Sequence, residues 1–212
     1  MYLPAQHTIR DRDAERENSL ALMRECPFAM LASTGEDGEP FFTHLPVVAE
    51  EIGGVIRIEG HMARANPHWK LLEAGRVGVL VFRGPDAYLS PRMYPDLRRV
   101  PTWNYIAVHA HGPIRLVDDP EAKDALLKRL IAGHEPPYAT QWRGLERAFQ
   151  DSMLAGIVGF EMQVDRLEAK FKLNANRTEA HAATLAEYES GTPRQQEVAA
   201  WMRRLGLDGT GK

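Results

Sequence analysis

The chain has 212 residues, 44% apolar and 26% charged, and its 26 basic against 29 acidic side chains give a net charge of −3. That balance offers no overall pull toward nucleic acid or an anionic membrane, and the length fits one large domain or one domain with a small helical appendix. A single cysteine, Cys26, excludes an internal disulfide and suits a reducing compartment.

Pro4 keeps residues 1–12 extended, and Asp13 opens a helix through Arg24 that Cys26-Pro27 ends. The N-terminal MYLPAQHTIRDRD has no apolar signal core. Residues 28–34 and 40–49 read as strands joined by Gly35-Glu36-Asp37-Gly38, where Asp-Gly between apolar runs signals a hairpin. Gly53-Gly54 marks the next turn, and residues 55–60 form a third strand. A helix over 67–74 follows, then a nearly continuous apolar strand over 76–83, central by its pattern. Its apolar run, residues 77–82, is far too short to span a bilayer. The expectation is a cytoplasmic protein with no membrane partner.

Residues 86–90 and 104–116 supply two further strands with a proline-rich loop between them. Asp119-Pro120-Glu121 starts a helix with Leu126, Leu127, Leu130 and Ile131 at helical spacing, ended by Gly133. Residues 142–150 are a second helical candidate, 157–164 return to strand, and 178–207 read as two helices broken at Gly191-Thr192-Pro193. Six or seven short strands with hairpin turns and inserted helices predict a mainly β (α+β) fold, an antiparallel barrel with peripheral helices. The barrel domain is expected over 1–177, with 178–212 a helical hairpin packed on it.

The stretch GHMARANPHW, residues 60–69, joins a strand to a helix start: Asn66 suits the N-cap and Pro67 the first helical position. With Arg64 and exposed backbone N–H groups it can cradle a phosphate, or it can be an ordinary corner with a surface arginine. Four other stretches carry chemistry beyond what a plain barrel needs. THLPVV, residues 43–48, sets Thr43 and His44 in an apolar strand, and its Pro46 suggests an edge or bulge. RGPDAYLSP and VPTWNY supply aromatic faces with a few donors, a mixture suited to a flat aromatic ligand or to core residues with satisfied polar tips. RLEAKFKLNANR, residues 166–177, carries four basic residues against Glu168, and an extended backbone puts Lys170 and Lys172 on one face, as an anion site or a solvated one. His109-x-His111 puts two imidazoles on one strand face, but no third ligand is placed by spacing, so no metal is expected. The sequence has no G-x-S-x-G elbow, G-x-G-x-x-G or Walker-type loop.

Taken together, MYLPAQH, the Phe28-Ala29 pair, HLP, GHMARANPHW, FRGPDAYLSPRMY, VPTWNY and the final KFKL with Asn176-Arg177 resemble the PaiB family, FMN-binding split-barrel proteins described as negative transcriptional regulators. The resemblance covers roughly residues 1–180 in collinear order. It departs where the family reads K-x-K-L-S-Q-N, since Asn174 and Ala175 stand here in place of Ser and Gln.

The resemblance implies a homodimer of split barrels with FMN between the subunits. Arg64, with His61 and the backbone of Met62, Ala63 and Ala65, would hold the phosphate. Thr43 and His44 would line the isoalloxazine ring, and Thr102, Trp103 and Asn104 would contact the ring or ribityl chain. Lys170 and Lys172 would be phosphate or rim contacts. Residues 178–212 hold four basic and five acidic side chains, so a DNA reader is not expected there and any regulation would be indirect. The alternative is an FMN-dependent oxidoreductase or flavin reductase acting on a small substrate.

Overall fold

Alternating side chains build the first hairpin, as its Asp-Gly turn predicts. The computed structural model of the chain describes residues 1–96 and 98–209. Strand β1 (Phe28–Thr34) buries Ala29 and Leu31 and pairs antiparallel with the first half of β2 (Pro40–Ile52), from Phe28 opposite Pro46 to Thr34 opposite Pro40. The second half of β2 pairs instead with β3 (Val55–Ala63), from Val47 opposite Gly60 to Ile52 opposite Val55. Pro46 therefore sits where the strand changes partner, a place where its missing N–H costs no ladder bond.

The remaining strands are β4 (Val79–Leu89), β5 (Thr102–His111), β6 (Ile114–Val117), β7 (Ile157–Gln163) and β8 (Arg166–Lys172). The helices are α1 (Arg12–Glu25), α2 (His68–Glu73), α3 (Pro120–Ala132), α4 (Tyr138–Gly144), α5 (Arg147–Ala155), α6 (His181–Glu189) and α7 (Pro193–Arg204). Start signals place several of them. Asp119 Oδ1 accepts from the Ala122 N–H at 2.9 Å to cap α3, and Thr192 with Gln195 forms a capping box at α7. The two terminal helices thus break at the predicted Gly-Thr-Pro. Residues 210–212 of that segment lie outside the described residues.

Several boundaries differ from the expectation, and within residues 1–12, expected extended, Ala5–His7 form a 3-10 turn. The third strand runs on to Ala63, carrying His61 and Met62 within it. Residues 76–83 and 86–90 become one strand, β4, because Gly84-Pro85 does not break it; β1 registers only against Val79–Val81, so Pro85 deprives β1 of nothing. The run 104–116 is divided at Gly112-Pro113, where a Cβ on Gly112 would lie 1.9 Å from the Gln163 carbonyl oxygen. The helical candidate at 142–150 is two helices, parted at Leu145-Glu146, with Gln150 Nε2 donating to the Trp142 carbonyl at 2.6 Å across the break. The strand count rises to eight.

The chain forms two compact units. The larger holds Ser19–Phe82 and His109–Leu167, and its strands are ordered β6-β7-β3-β2-β1-β4. Its core includes Leu31, Ile56, Ile58, Leu80, Val158 and Phe160, each at 0–1% exposure. Burying each such side chain is worth about 1.5–3 kcal/mol. Buried Glu59 on β3 accepts both Nε and Nη2 of Arg129 on α3, at 2.6 and 2.8 Å. The smaller unit holds Met1–Asn18, Arg83–Val108 and Glu168–Lys212, with strand order β4-β5-β8. There α6 and α7 bury Leu185, Tyr188, Val198 and Met202. No described helix is long and apolar enough to cross a membrane.

Candidate functional site

In the larger unit, the corner after β3 is held by its own polar groups. The Arg64 N–H donates to the Gly156 carbonyl at 2.8 Å, that of Asn66 to Ala63 at 2.9 Å, and that of His68 to Asn66 Oδ1 at 3.0 Å. These three N–H groups, which the sequence offers as a phosphate cradle, are satisfied within the protein. The Arg64 side chain is similarly engaged. Its Nε donates to the Ala155 carbonyl at 2.9 Å and one Nη to that of Ile157 at 3.1 Å. The same Nη donates to Asp118. Asp118 also accepts from the buried Lys123 at 3.0 Å; although burial pulls the other way, hydrogen bonds from Lys123 and Arg64 hold its carboxyl below the ordinary range. Arg64 thus ties the end of α5 and the start of β7 to the corner, and offers a ligand only its second Nη.

Beneath this corner lies a cluster that sequence reasoning missed. Asn66 Nδ2 donates to Thr43 Oγ1 at 3.1 Å, and Thr43 Oγ1 lies 2.8 Å from His68 Nδ1. With Thr43 accepting from Asn66, its hydroxyl hydrogen is available to His68. The His68 ring is wholly buried, edge-on to Phe41 at 5.0 Å, with Nε2 lacking any hydrogen-bond partner. Burial pushes its pKa down to about 4. His68 and Asn66 stand inside the motif GHMARANPHW; the signal was there, but their caps hid their side-chain roles.

Thr43 and His44 occupy opposite faces of β2. Thr43 registers with buried Leu31, whereas His44 registers with Met30 and stacks outside on Phe28 at 6.3 Å. A flat ring on one face meets one of these side chains, not both. His61 is half-buried, its Nδ1 is buried without a hydrogen-bond partner, and burial lowers its pKa. Met62 packs in the core at 4% exposure, which leaves only its backbone for a ligand, while Ala63 and Ala65 are exposed. The His109 and His111 rings lie 6.5 Å apart, as neighbours on one strand face.

In the smaller unit, Lys170 and Lys172 do share a face of β8 as extended backbone predicts. Lys170 is buried at 9% exposure, and its Nζ donates to the Tyr2 carbonyl at 3.2 Å. Lys172 Nζ donates to Thr102 Oγ1 at 2.5 Å, and both ammonium groups lie over the Tyr105 ring, at 5.5 and 5.7 Å from its centroid. No carboxylate among the described residues pairs with either lysine. Their charge is felt nearby. Burial, then Lys172 and Lys170, lowers the pKa of His7, whose Nδ1 is buried without a hydrogen-bond partner. His7, Tyr2 and Tyr105 were missed as site residues; the N-terminal MYLPAQH was their signal.

Of the VPTWNY residues, Thr102 belongs to this cluster and Trp103 is half-exposed, edge-on to Tyr88 at 6.1 Å. Asn104 points inward at 1% exposure, its Nδ2 donating to the Tyr188 hydroxyl at 3.4 Å, while that hydroxyl donates to the Tyr88 carbonyl at 3.0 Å. This engages the Asn104 side chain in the unit's core.

Residues 1–166 match the family model described as "Putative FMN-binding domain". The chain is 32% identical over 190 residues to the protease synthase and sporulation protein PAI 2 of Bacillus subtilis, covering 88% of each. Among solved structures, it resembles a flavocytochrome from Azotobacter vinelandii (TM-score 0.60, 18% identity, 81% of this chain and 76% of that one). It also resembles an FAD- and haem-binding protein from Mycobacterium smegmatis (TM-score 0.58, 18% identity, 74% and 71%). In the smaller unit the donor set suits a phosphate-bearing aromatic cofactor: two lysines with no paired carboxylate among the described residues lie over a tyrosine ring, and His7 Nδ1 is buried without a hydrogen-bond partner.

Proposed function

Because the chain belongs to the PaiB family of FMN-binding split-barrel proteins, we propose that it is an FMN-dependent negative regulator of gene expression that does not itself read DNA. Its fold is the split barrel and its cofactor is FMN. Bound FMN supplies hydride and electron transfer through its ring. In this reading Lys170, Lys172 and Thr102 meet the phosphate, and Arg64, whose donors are largely engaged within the larger unit, is not among them. His44 and His61, and Trp103, are flavin contacts from their own units; Thr43, on the opposite face of β2, acts through its hydrogen bonds to Asn66 and His68; Met62, Ala63 and Ala65 contribute backbone only, and Asn104 acts through packing.

The observation that carries the reading is the lysine pair, Lys170 buried and Lys172 half-buried, with no carboxylate paired to it among the described residues. A buried cation without an anion costs several kcal/mol, and a phosphate relieves it. Indirect regulation is supported by the arginines of α7. Arg194 lies 3.2 Å from Asp86, Arg203 Nε donates to Glu189 at 2.5 Å, and Arg204 stacks on Trp201 at 4.2 Å. Their charge is already engaged.

A second copy of the chain is the proposed partner, with FMN at the interface. The outer face of the β2-β1-β4 sheet supports this: Phe28, Met30, Phe42, His44 and Val81 fall on one side by register, and Phe28 and Phe42 are 67% and 52% exposed. Phe42→Glu is expected to convert the dimer to monomer in light scattering; a dimer unchanged by it removes this face from the interface.

The deciding experiment complements a deletion strain with wild-type protein or with the Lys170→Met/Lys172→Met variant and follows target-gene expression. Wild type restores repression and the variant does not, while purified protein leaves DNA unshifted at physiological salt. A direct DNA shift overturns the indirect reading. Rapid bleaching of bound FMN by NAD(P)H with turnover of a small acceptor favours the oxidoreductase instead.

A further inference from the structure

The larger unit contains a cleft of about 510 Å³ between the entry to β4, the β5–β6 break and the start of β8. It shares no lining residue with the flavin contacts proposed above. Its size lies within the range of small-molecule sites.

The walls are fixed by backbone. The Asp165 N–H donates to the His111 carbonyl at 3.0 Å, Gln163 to Pro113 at 3.3 Å, and Arg76 to Leu71 at 3.0 Å. Neither Gly78 nor Gly112 has room for a side chain: a Cβ on Gly78 would lie 2.5 Å from Ile114 Cδ1, and one on Gly112 1.9 Å from the Gln163 oxygen. A site held this way needs little ordering when it fills.

Its lining has two characters. Leu72, Val77, Pro113 and Ile114 give it an apolar side, and Val77 is 73% exposed, unusual for valine. Arg76, Arg166 and Asp165 line the rest, a formal charge of +1 for the three. The Arg76 side chain makes no ion pair or hydrogen bond to another described residue. One net positive charge beside an apolar wall suits a singly charged amphipathic anion. A planar guanidinium matches a carboxylate through paired hydrogen bonds. The Asp165 carboxylate weighs against phosphate dianions by like-charge repulsion.

We propose that this cleft binds a small monocarboxylate with an apolar or aromatic body, its carboxylate on Arg76 and its body against Val77, Pro113 and Ile114. Arg76 is exposed, so replacing it leaves the fold intact. The test titrates FMN-loaded protein with benzoate, with benzyl alcohol as the uncharged counterpart and inorganic phosphate as the purely anionic one, while amide NMR shifts locate the site.

Benzoate is expected to bind once per chain and to move the Gly78 and Gly112 amides. Arg76→Met and the change to benzyl alcohol should each weaken binding about tenfold, the scale of one charge-assisted bond. FMN affinity stays unchanged in Arg76→Met, which separates failure here from failure of the flavin reading. The proposal is overturned by no benzoate binding, by shifts away from these glycines, by equal affinity in Arg76→Met, or by phosphate competing as well as benzoate.

Discussion

Arg64 and the Lys170–Lys172 pair both stand in motifs that read as anion sites, yet the protein treats their charge in opposite ways. Arg64 gives its Nε and one Nη to two backbone carbonyls and Asp118. The lysines meet a carbonyl, a hydroxyl and a tyrosine ring, with no carboxylate paired to them among the described residues. A basic residue in a phosphate-like motif is therefore not yet a phosphate ligand; what matters is whether the fold has already neutralised it. An arginine held by carbonyls and an acid contributes to stability. A buried ammonium without an acid lowers it until an anion arrives.

The largest expected effect tests that difference directly. Lys170→Met/Lys172→Met keeps the aliphatic stems and removes two charge-assisted bonds, so FMN affinity should fall by roughly 100-fold or more, about 3 kcal/mol. The same variant, measured without FMN, should unfold at the same urea concentration as wild type or a higher one, because two poorly compensated cations are gone. Affinity and stability moving apart is the signature. If both fall together, the lysines are ordinary structural residues and the comparison collapses.

Next comes pH. The buried His68 has its pKa pushed down from 6.5 to about 4. Between these values the unfolded chain binds a proton that the folded chain refuses, so this group's contribution is complete above pH 6.5 and is lost as pH falls toward 4. The slope in that window is up to about 1.4 kcal/mol per pH unit, read from urea midpoints. His68→Gln should flatten it in part, since burial depresses His61 and His7 in the same direction. An unchanged slope would mean that His68 is protonated in place, and that the Thr43–Asn66–His68 cluster is looser than its hydrogen bonds suggest.

Local chemistry made most of the fold legible. The Asp-Gly hairpin, the Asp119 cap and the break at Gly191-Thr192-Pro193 each rest on a few adjacent residues, and each appears where expected. The misplaced boundaries depend on distant partners. Gly112 breaks a strand because the Gln163 carbonyl approaches it, and Pro85 does not break one because β1 has already ended its register. The same limit applies to the site. Periodicity put Lys170 and Lys172 on one face, but the absence of a paired acid is a tertiary fact. Thr43 and His44 read as a pair in sequence, although strand geometry alone puts adjacent residues on opposite faces.

Arg64 carries the smallest of the expected effects on FMN. Arg64→Ala strips donors from the Ala155 and Ile157 carbonyls at the junction of α5 and β7. The side chain is partly exposed, so water replaces part of what is lost and the Asp118 pair counts for little. A loss of about 1–2 kcal/mol follows, or roughly 2–8 °C in Tm for a chain of this size. FMN affinity should change less than about fivefold, because only one Nη remains for a ligand and the lysines hold the anion. Arg64→Lys sharpens the result: an ammonium keeps the charge but cannot reach both carbonyls in the guanidinium's planar geometry. It should therefore recover little of the lost Tm. If Arg64→Lys instead restores FMN binding that Arg64→Ala has abolished, the charge itself is what the cofactor needs. The phosphate would then belong at the corner, and the lysine pair would need another anion.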